Sequence, residues 1–378
     1  MPAGRDLPEA RFAGLDGRAL ERAWFRHGFV PPALSAACAD ITDRPVAADD
    51  ALFWQFPCRT EGAAWDRHAA LDQPGGSGDD LHTYLGLPWA TWIDKERKQA
   101  WGADRGHAAG RQWRLVGVRL SGLHQALAGL GMRLRVHTVC QHIYWQDLLP
   151  RWRQLGVTDL WLSHCPAPGT PAAAEALAAG IQVHPWRLFA VNVEDPARTS
   201  GLLLGRDAAA RPLLASFVGA HADHYLSDIR PRLRALADAP DVVVRVTGRW
   251  HFEDVVYRHQ VQGEMATAPV ADDSVHGYNA LLSDSVFSLC PAGAGANTLR
   301  LWESLASGAI PVMLGDWPQL PAGGSLPPLD WDTAVLRVRT EELPGLLDRL
   351  RAMPLGERRQ RQQRGMALFA QVQQQTCF

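Results

Sequence analysis

The residues that decide the fold run from Phe287 to Asp316, FSLCPAGAGANTLRLWESLASGAIPVMLGD. An apolar run, Val286 to Cys290, passes through a glycine loop, Pro291 to Asn297, into a segment of helical period ending at Ser307, and a second apolar run follows at Ile310 to Leu314. Strand, loop, helix and strand make the βαβ unit of a parallel sheet. Gly293 and Gly295 are expected to take positive φ and let the backbone approach a ligand. Asn297 is the expected N-cap, and the free amides and dipole of the helix at Ala296 to Leu299 would attract a phosphate or diphosphate. Arg300 and Glu303 share one helical face, so Arg300 can reach phosphate and Glu303 a pair of sugar hydroxyls. The alternative is a surface ion pair beside a simple turn.

Pro291-x-Gly293, Arg300-Leu-Trp-Glu303-Ser-Leu-Ala, and Gly308-x-Ile310-Pro311-Val312 with Asp316 beyond together resemble the nucleotide-sugar half of the exostosin family, glycosyltransferase family 47. Weaker similarity extends back to Leu213. The resemblance implies α/β GT-B architecture, two Rossmann-like domains with parallel sheets facing across a cleft. It also implies that Glu303 holds the ribose and that Gly293 to Thr298 face the diphosphate.

Length and composition agree with two domains. The chain has 378 residues, long for one compact domain and sufficient for two cores. A net charge of -2, from 38 basic and 40 acidic side chains, argues against a nucleic-acid partner. The cysteines, Cys38, Cys58, Cys140, Cys165, Cys290 and Cys377, are widely spaced with no CxxC, which suits buried thiols and neither a disulfide framework nor a zinc site. The first residues, MPAGRDLPEARFAGLDGR, lack an apolar signal core, and no later window is long and apolar enough to span a bilayer, so a cytoplasmic location is expected. Animal and plant exostosins are typically anchored in the Golgi membrane. A form without an anchor is more like a bacterial enzyme building surface polysaccharide.

Residues 1–205 are expected to form the acceptor-side domain, and 206–378 the nucleotide-sugar domain with a C-terminal helix. In the first part, Ala51 to Cys58 reads as one strand and Asp72 to Asp80 as a loop. Asp94 either stands at the rim of a sheet or caps the polar helix after it. Leu134 to Cys140 and Val157 to Leu162 are strands around a helical Trp145 to Leu155, and Ala172 to Ala179 is a small-residue helix. The strands end in Gln141-His142 and Ser163-His164, at the carboxyl edge where open parallel sheets bind ligands. Either histidine can instead be one bonded to a nearby loop carbonyl. A hinge is placed near Arg198 to Arg211. In the second part Leu213 to Val218 is a strand ending at Gly219, expected to turn tightly beside the diphosphate. Arg249, after the strand Val242 to Thr247, either adds charge for phosphate or lies on the surface beside Glu253. Arg358, Arg359, Arg361 and Arg364 on the last helix form a solvated face, with peripheral contact to the inner face of a membrane as the alternative.

Glycosyl transfer needs a donor pocket, neutralisation of the leaving diphosphate and a base for the acceptor hydroxyl. Asp330-Trp-Asp332 follows Pro327, Pro328 and a glycine pair and reads as a turn, so Arg300, Arg249 and the helix terminus are expected to do a metal's work; no cofactor is expected. The resemblance implies inversion, with a base supplied by the first domain. His142 and His164 are the candidates by position, Asp94 and Asp147 the carboxylate ones. The donor set is Gly219, Arg249, Gly293, Gly295, Asn297, Thr298, Arg300 and Glu303. Among 15 tryptophans, Trp89, Trp92, Trp145 and Trp186 are first-domain positions for stacking an acceptor sugar, core burial being the alternative. The expected function is transfer of a sugar, from a UDP-sugar in the first instance, to a saccharide or lipid-linked saccharide in bacterial surface polysaccharide or glycoconjugate synthesis. The alternatives are a nucleotide-sugar epimerase, a CMP-sugar transferase, or a non-catalytic sugar-binding subunit.

Overall fold

The computed structural model describes residues 52–71, 76–77, 80–101, 108–129, 131–250, 252–263 and 272–378. In chain order come α1 (Thr60–Ala69), β1 (Gly76–Ser77), β2 (Asp80–Tyr84), α2 (Trp89–Arg97), α3 (Ala108–Ala128), β3 (Arg133–Cys140), α4 (Leu149–Gln154), β4 (Asp159–Leu162), α5 (Pro171–Ala178), β5 (Gln182–Pro185) and α6 (Val191–Glu194). The second half holds β6 (Leu213–Ala220), α7 (Ile229–Arg232), β7 (Val242–Thr247), a π-helix (Asp254–Val261), α8 (Asp272–Asp284), β8 (Ser285–Pro291), α9 (Leu299–Ser307), β9 (Ile310–Leu314), β10 (Leu336–Val338), α10 (Leu346–Ala352) and α11 (Leu355–Val372).

The first sheet has the order β1-β2-β3-β4-β5, parallel except for the short antiparallel β1. Its right-handed crossovers all step in one direction, which puts the connecting helices on one face. There Leu81, Leu134, Val136, Leu160 and Leu162 pack against Leu120 and Leu123 of α3, Trp152 of α4 and Ala176 of α5. Pro185 ends the edge strand β5, where a missing amide costs no ladder bond. The opposite face is covered by α1 and by the end of the chain: Ala64, Tyr84, Val139, Trp161, Trp186 and Cys377 form one cluster.

That last contact departs from the expected division at 206–378. After α11 the chain returns to the first sheet, where the Cys377 amide donates to His68 Nε2 at 2.9 Å and Phe378 lies 5.1 Å from the His137 ring. The expected hinge also differs. Arg211 donates to the carbonyls of Arg206, Leu282, Ser285 and Ser307, and Asn279 donates to those of Arg198 and Ser200, which ties 198–211 to the second unit along its length. The expected strand at 51–58 belongs to neither sheet, and Ala51 lies outside the described residues, as do Cys38 and most of the 72–80 loop.

The second sheet, β10-β9-β8-β6-β7, is wholly parallel. From β6 the chain steps outward to β7, crosses back to β8 on the other side, and continues to β9 and β10. The winding therefore reverses between β6 and β8, and in such sheets ligands bind outside the carboxyl ends of the strands flanking that switch point. Behind it α9 packs Leu301, Trp302 and Leu305 against Leu368, Phe369 and Val372 of α11. The carboxyl edges of the two sheets face each other: Asn297, beyond β8, donates to the Ser163 carbonyl, beyond β4, at 2.7 Å. This is the GT-B arrangement. Among the described residues no helix is long and apolar enough to cross a membrane.

Candidate active site at the facing sheet edges

The loop between β8 and α9 is built around two close approaches. Neither Gly293 nor Gly295 takes positive φ, contrary to expectation. Their lack of a side chain matters for space: a Cβ at 293 would come within 2.7 Å of Arg230 Nη2, and one at 295 would overlap the His164 ring and lie 2.9 Å from Ile143 Cγ2. Gly219 has a similar reason, since a Cβ there would meet Phe217 Cζ at 2.9 Å. Asn297 is not the N-cap. Thr298 holds that place, without a side-chain cap bond, while Asn297 is buried, spans to Ser163 and accepts from Trp302 Nε1 at 2.8 Å. The start of α9 is thus left to other partners.

Arg230, which sequence inspection passed over, sits at the switch point. Its guanidinium donates to the Ala220 carbonyl at 2.5 Å, ending β6, and to those of Ala292 at 2.9 Å and Pro291 at 3.3 Å, ending β8. Its plane lies 4.8 Å from the Tyr225 ring and 5.6 Å from Phe217. Burial pulls it down to about 10, still charged at neutral pH. Arg300, which is buried where Arg230 is only half-buried, donates to the Val218 carbonyl and stacks on Phe217 and Tyr278. Among the described residues neither guanidinium has a carboxylate at salt-bridge distance. One buried and one half-buried cation, each held by carbonyl dipoles, make this edge attractive to an anion. Arg249 is not part of that charge: it is exposed just beyond the outer strand β7 and paired with Asp254 at 2.6 Å and Glu253 at 3.4 Å, the surface alternative.

Glu303 makes no ion pair with Arg300. It is 2% exposed, its Oε1 accepts from the Asn192 amide at 3.1 Å, and its Oε2 accepts from the Tyr278 hydroxyl at 2.6 Å. Burial raises its pKa against the pull of these two donors.

Across the cleft, a relay of buried polar groups supports His142. Glu61, in the first turn of α1, accepts from the Gln141 amide at 3.0 Å and from the Ala90 amide at 3.1 Å, so it caps the start of α2 and fixes the end of β3. Gln141 Nε2 donates to Gln55 Oε1 at 2.9 Å, and Gln55 Nε2 donates to Asp94 Oδ2 at 2.7 Å. His142 Nε2 lies 3.1 Å from Asp94 Oδ1, and the Tyr144 amide donates to His142 Nδ1 at 3.0 Å. A backbone amide can only donate, so Nδ1 is the lone-pair side and the Nε2 proton goes to Asp94. Asp94 is therefore neither a sheet-rim residue nor a helix cap: it lies inside α2, buried and aimed at the histidine.

His164 is different. Its Nδ1 is buried against the Gly295 loop without a partner, and burial holds the ring at about 3, neutral near pH 7. Asp147 is not brought to the site, being half-exposed and paired with Arg97 at 2.8 Å. Trp89, Trp92, Trp145 and Trp186 are all core residues, because each indole finds more apolar surface inside than at the rim. Asp330-Trp331-Asp332 is a turn of 3-10 helix with Asp332 held by Arg337. Three of the four C-terminal arginines are tied down: Arg358 to the carbonyls ending α10, Arg359 to Asp207 and Arg361 to Glu357.

Two Rossmann-like units meet at their carboxyl edges, with cations on one side and a histidine–carboxylate pair on the other, as in the GT-B class. Residues 184–353 match the Exostosin GT47 domain, so over this stretch the chain is similar to the exostosin-type glycosyltransferases. No curated protein matches the chain. Solved structures similar to it include the GtfA/B complex, at 10% identity and TM-score 0.34, covering 69% of this chain and 58% of that one. An alpha,alpha-trehalose 6-phosphate synthase from Burkholderia multivorans is similar at 15% identity and TM-score 0.35, covering 80% of this chain and 86% of that one. The pneumococcal O-GlcNAc transferase GtfA in complex with UDP and GlcNAc is similar at 11% identity and TM-score 0.30, covering 69% of this chain and 51% of that one. The chain thus spans little more than half the length of two of these three.

Proposed function

We propose that the protein is an inverting glycosyltransferase that moves a sugar from a nucleotide-sugar, with UDP as the first donor nucleotide to test, to a saccharide acceptor. The observation that carries this is the exostosin domain whose β6–β8 switch point, lined by Arg230 and Arg300, faces His142 and Asp94. The diphosphate lies against the start of α9 and the two guanidiniums, which take the charge that builds on the leaving oxygen. The acceptor hydroxyl enters from the first unit and replaces the Tyr144 amide at His142 Nδ1. As its oxygen bonds to the anomeric carbon, its proton passes to Nδ1 and the bond from that carbon to the diphosphate oxygen breaks. Asp94 keeps the opposite proton on Nε2 and stabilises the imidazolium. His164, neutral and without a carboxylate partner, lines the cleft. The roles of Gly219, Gly293 and Gly295 are to admit Phe217, Arg230 and His164. A role in bacterial surface polysaccharide, with a saccharide or lipid-linked saccharide as acceptor and a cytoplasmic location, remains part of this proposal, as does action without a metal.

The test is transfer from radiolabelled UDP-, GDP- and dTDP-sugars to oligosaccharide acceptors, with and without EDTA. Product with one donor, unchanged by EDTA and absent from His142→Ala, supports the proposal. Release of nucleotide with no sugar added to any acceptor points instead to hydrolysis or epimerisation.

A further inference from the structure

We propose that Tyr278 is a placeholder at the donor site, its phenolic hydroxyl occupying the position on Glu303 that a ribose hydroxyl takes when a nucleotide binds. The inference rests on the proposal that Glu303 recognises the ribose. A carboxylate has about four acceptor positions, yet the structure shows Glu303 with one donor on each oxygen, the Asn192 amide and the Tyr278 hydroxyl. The first is backbone and fixed by α6. The second is a half-buried side chain on α8, which rotation about its own side-chain bonds can move without displacing the helix backbone. Phenol and sugar hydroxyl are the same kind of donor, and exchange of one for the other conserves the bond while exchanging what covers the carboxylate.

The surroundings fit a side chain that swings and a helix that stays. Asn279, the next residue, holds the carbonyls of Arg198 at 2.7 Å and Ser200 at 2.8 Å, which pins α8 in place. The Tyr278 ring rests 4.7 Å from the Arg300 guanidinium. A diphosphate drawn to Arg300 would compete for the same cation, so occupation of the phosphate position loosens the ring just as the ribose arrives. With Tyr278 in place Glu303 is 2% exposed, so a ligand needs a covering group to move, and Tyr278 is the side chain bonded to the carboxylate.

Removing the hydroxyl should leave Glu303 short of a donor in the free protein and whole again in the complex, so affinity should rise. Titration calorimetry with UDP and GDP, and with their dideoxyribose analogues, compares the wild type, Tyr278→Phe, Tyr278→Leu and Glu303→Gln. Tyr278→Phe is expected to bind the ribonucleotide ~10-fold or more tighter, the value of a hydrogen bond to a charged group, and to gain nothing with the dideoxy analogue. If Tyr278→Phe and Tyr278→Leu bind the ribonucleotide no tighter, while Glu303→Gln still loses the preference for it over the dideoxy form, the placeholder is overturned and ribose recognition stands. If the wild type shows no such preference, or binds neither nucleotide, ribose recognition by Glu303 falls and the placeholder with it.

Discussion

The two walls of the cleft hold their charges in opposite ways. On the second-unit wall Arg230 and Arg300 donate to carbonyl oxygens of β6 and at the end of β8, with no carboxylate at salt-bridge distance among the described residues. On the first-unit wall the carboxyl groups turn inward: Glu61 to two backbone amides, Asp94 to Gln55 and His142. A cation stabilised by dipoles suits binding of a leaving group. A carboxylate committed to a histidine suits proton transfer. Under the proposed function the chemistry divides along the fold, with the donor's charge on one sheet and the acceptor's proton on the other.

That division can be broken most forcefully at the proton. His142→Ala should lower the rate of transfer by ~100- to 10,000-fold, the usual contribution of general base catalysis, and leave nucleotide affinity unchanged. Asp94→Asn should lower it too and alter the shape of the pH–rate profile, which a merely structural role would not do. Next in size is the charge. Arg230→Met should weaken UDP binding ~10-fold or more, the value of a charge-assisted bond, with uridine binding untouched. Equal losses for both ligands in calorimetry would show that Arg230 serves only to close the β6 and β8 ends.

Contact between the walls is the third target. Gly295→Ala puts a methyl group into the His164 ring and should cost about 1–3 kcal/mol of stability in denaturant titration, as overpacking generally does. In a His164→Ala background the same substitution should cost less, because the two sites share one space.

The smallest effect sharpens the first-unit wall alone. Burial lifts the Glu61 carboxyl to about 8, outweighing the Gln141 and Ala90 amides that pull it down. A folded value above the unfolded one near 4.5 means that the stabilisation is complete below that value and is lost as the pH rises through about 8. Melting temperature should therefore fall between about pH 5 and pH 8 in the wild type and level off above that, and fall by several degrees less in Glu61→Gln. A parallel decline in both proteins would remove Glu61 as its source.

Where signals were local, they were legible. The apolar runs at 286–290 and 310–314, with the glycine loop between, became β8, β9 and the turn into α9. His142 and His164 stand after β3 and β4 as their place at strand ends implied. The roles of neighbouring residues were less so. Asp94 looked like a cap because a polar stretch follows it, and nothing local reveals that Gln55 and His142 converge on it. Arg230 and Arg249 are equally plausible phosphate ligands in one dimension. What separates them is that two carboxylates are close in sequence to Arg249, while Arg230 is received by the carbonyls ending two strands, one of them 61 residues along the chain.

By itself the sequence determined the periodicities, the two Rossmann-like units and the resemblance to exostosins, because these depend on residues a few positions apart along one backbone. Only the tertiary structure decided which side chains share the cleft. Glu61 beneath Gln141, Tyr278 on Glu303, Asn297 on Ser163 and the chain's last residues on the first sheet all join positions that sequence leaves far apart. Their proximity is set by how the helices pack on the two sheets and how the sheets meet, and burial then makes each polar partner obligatory.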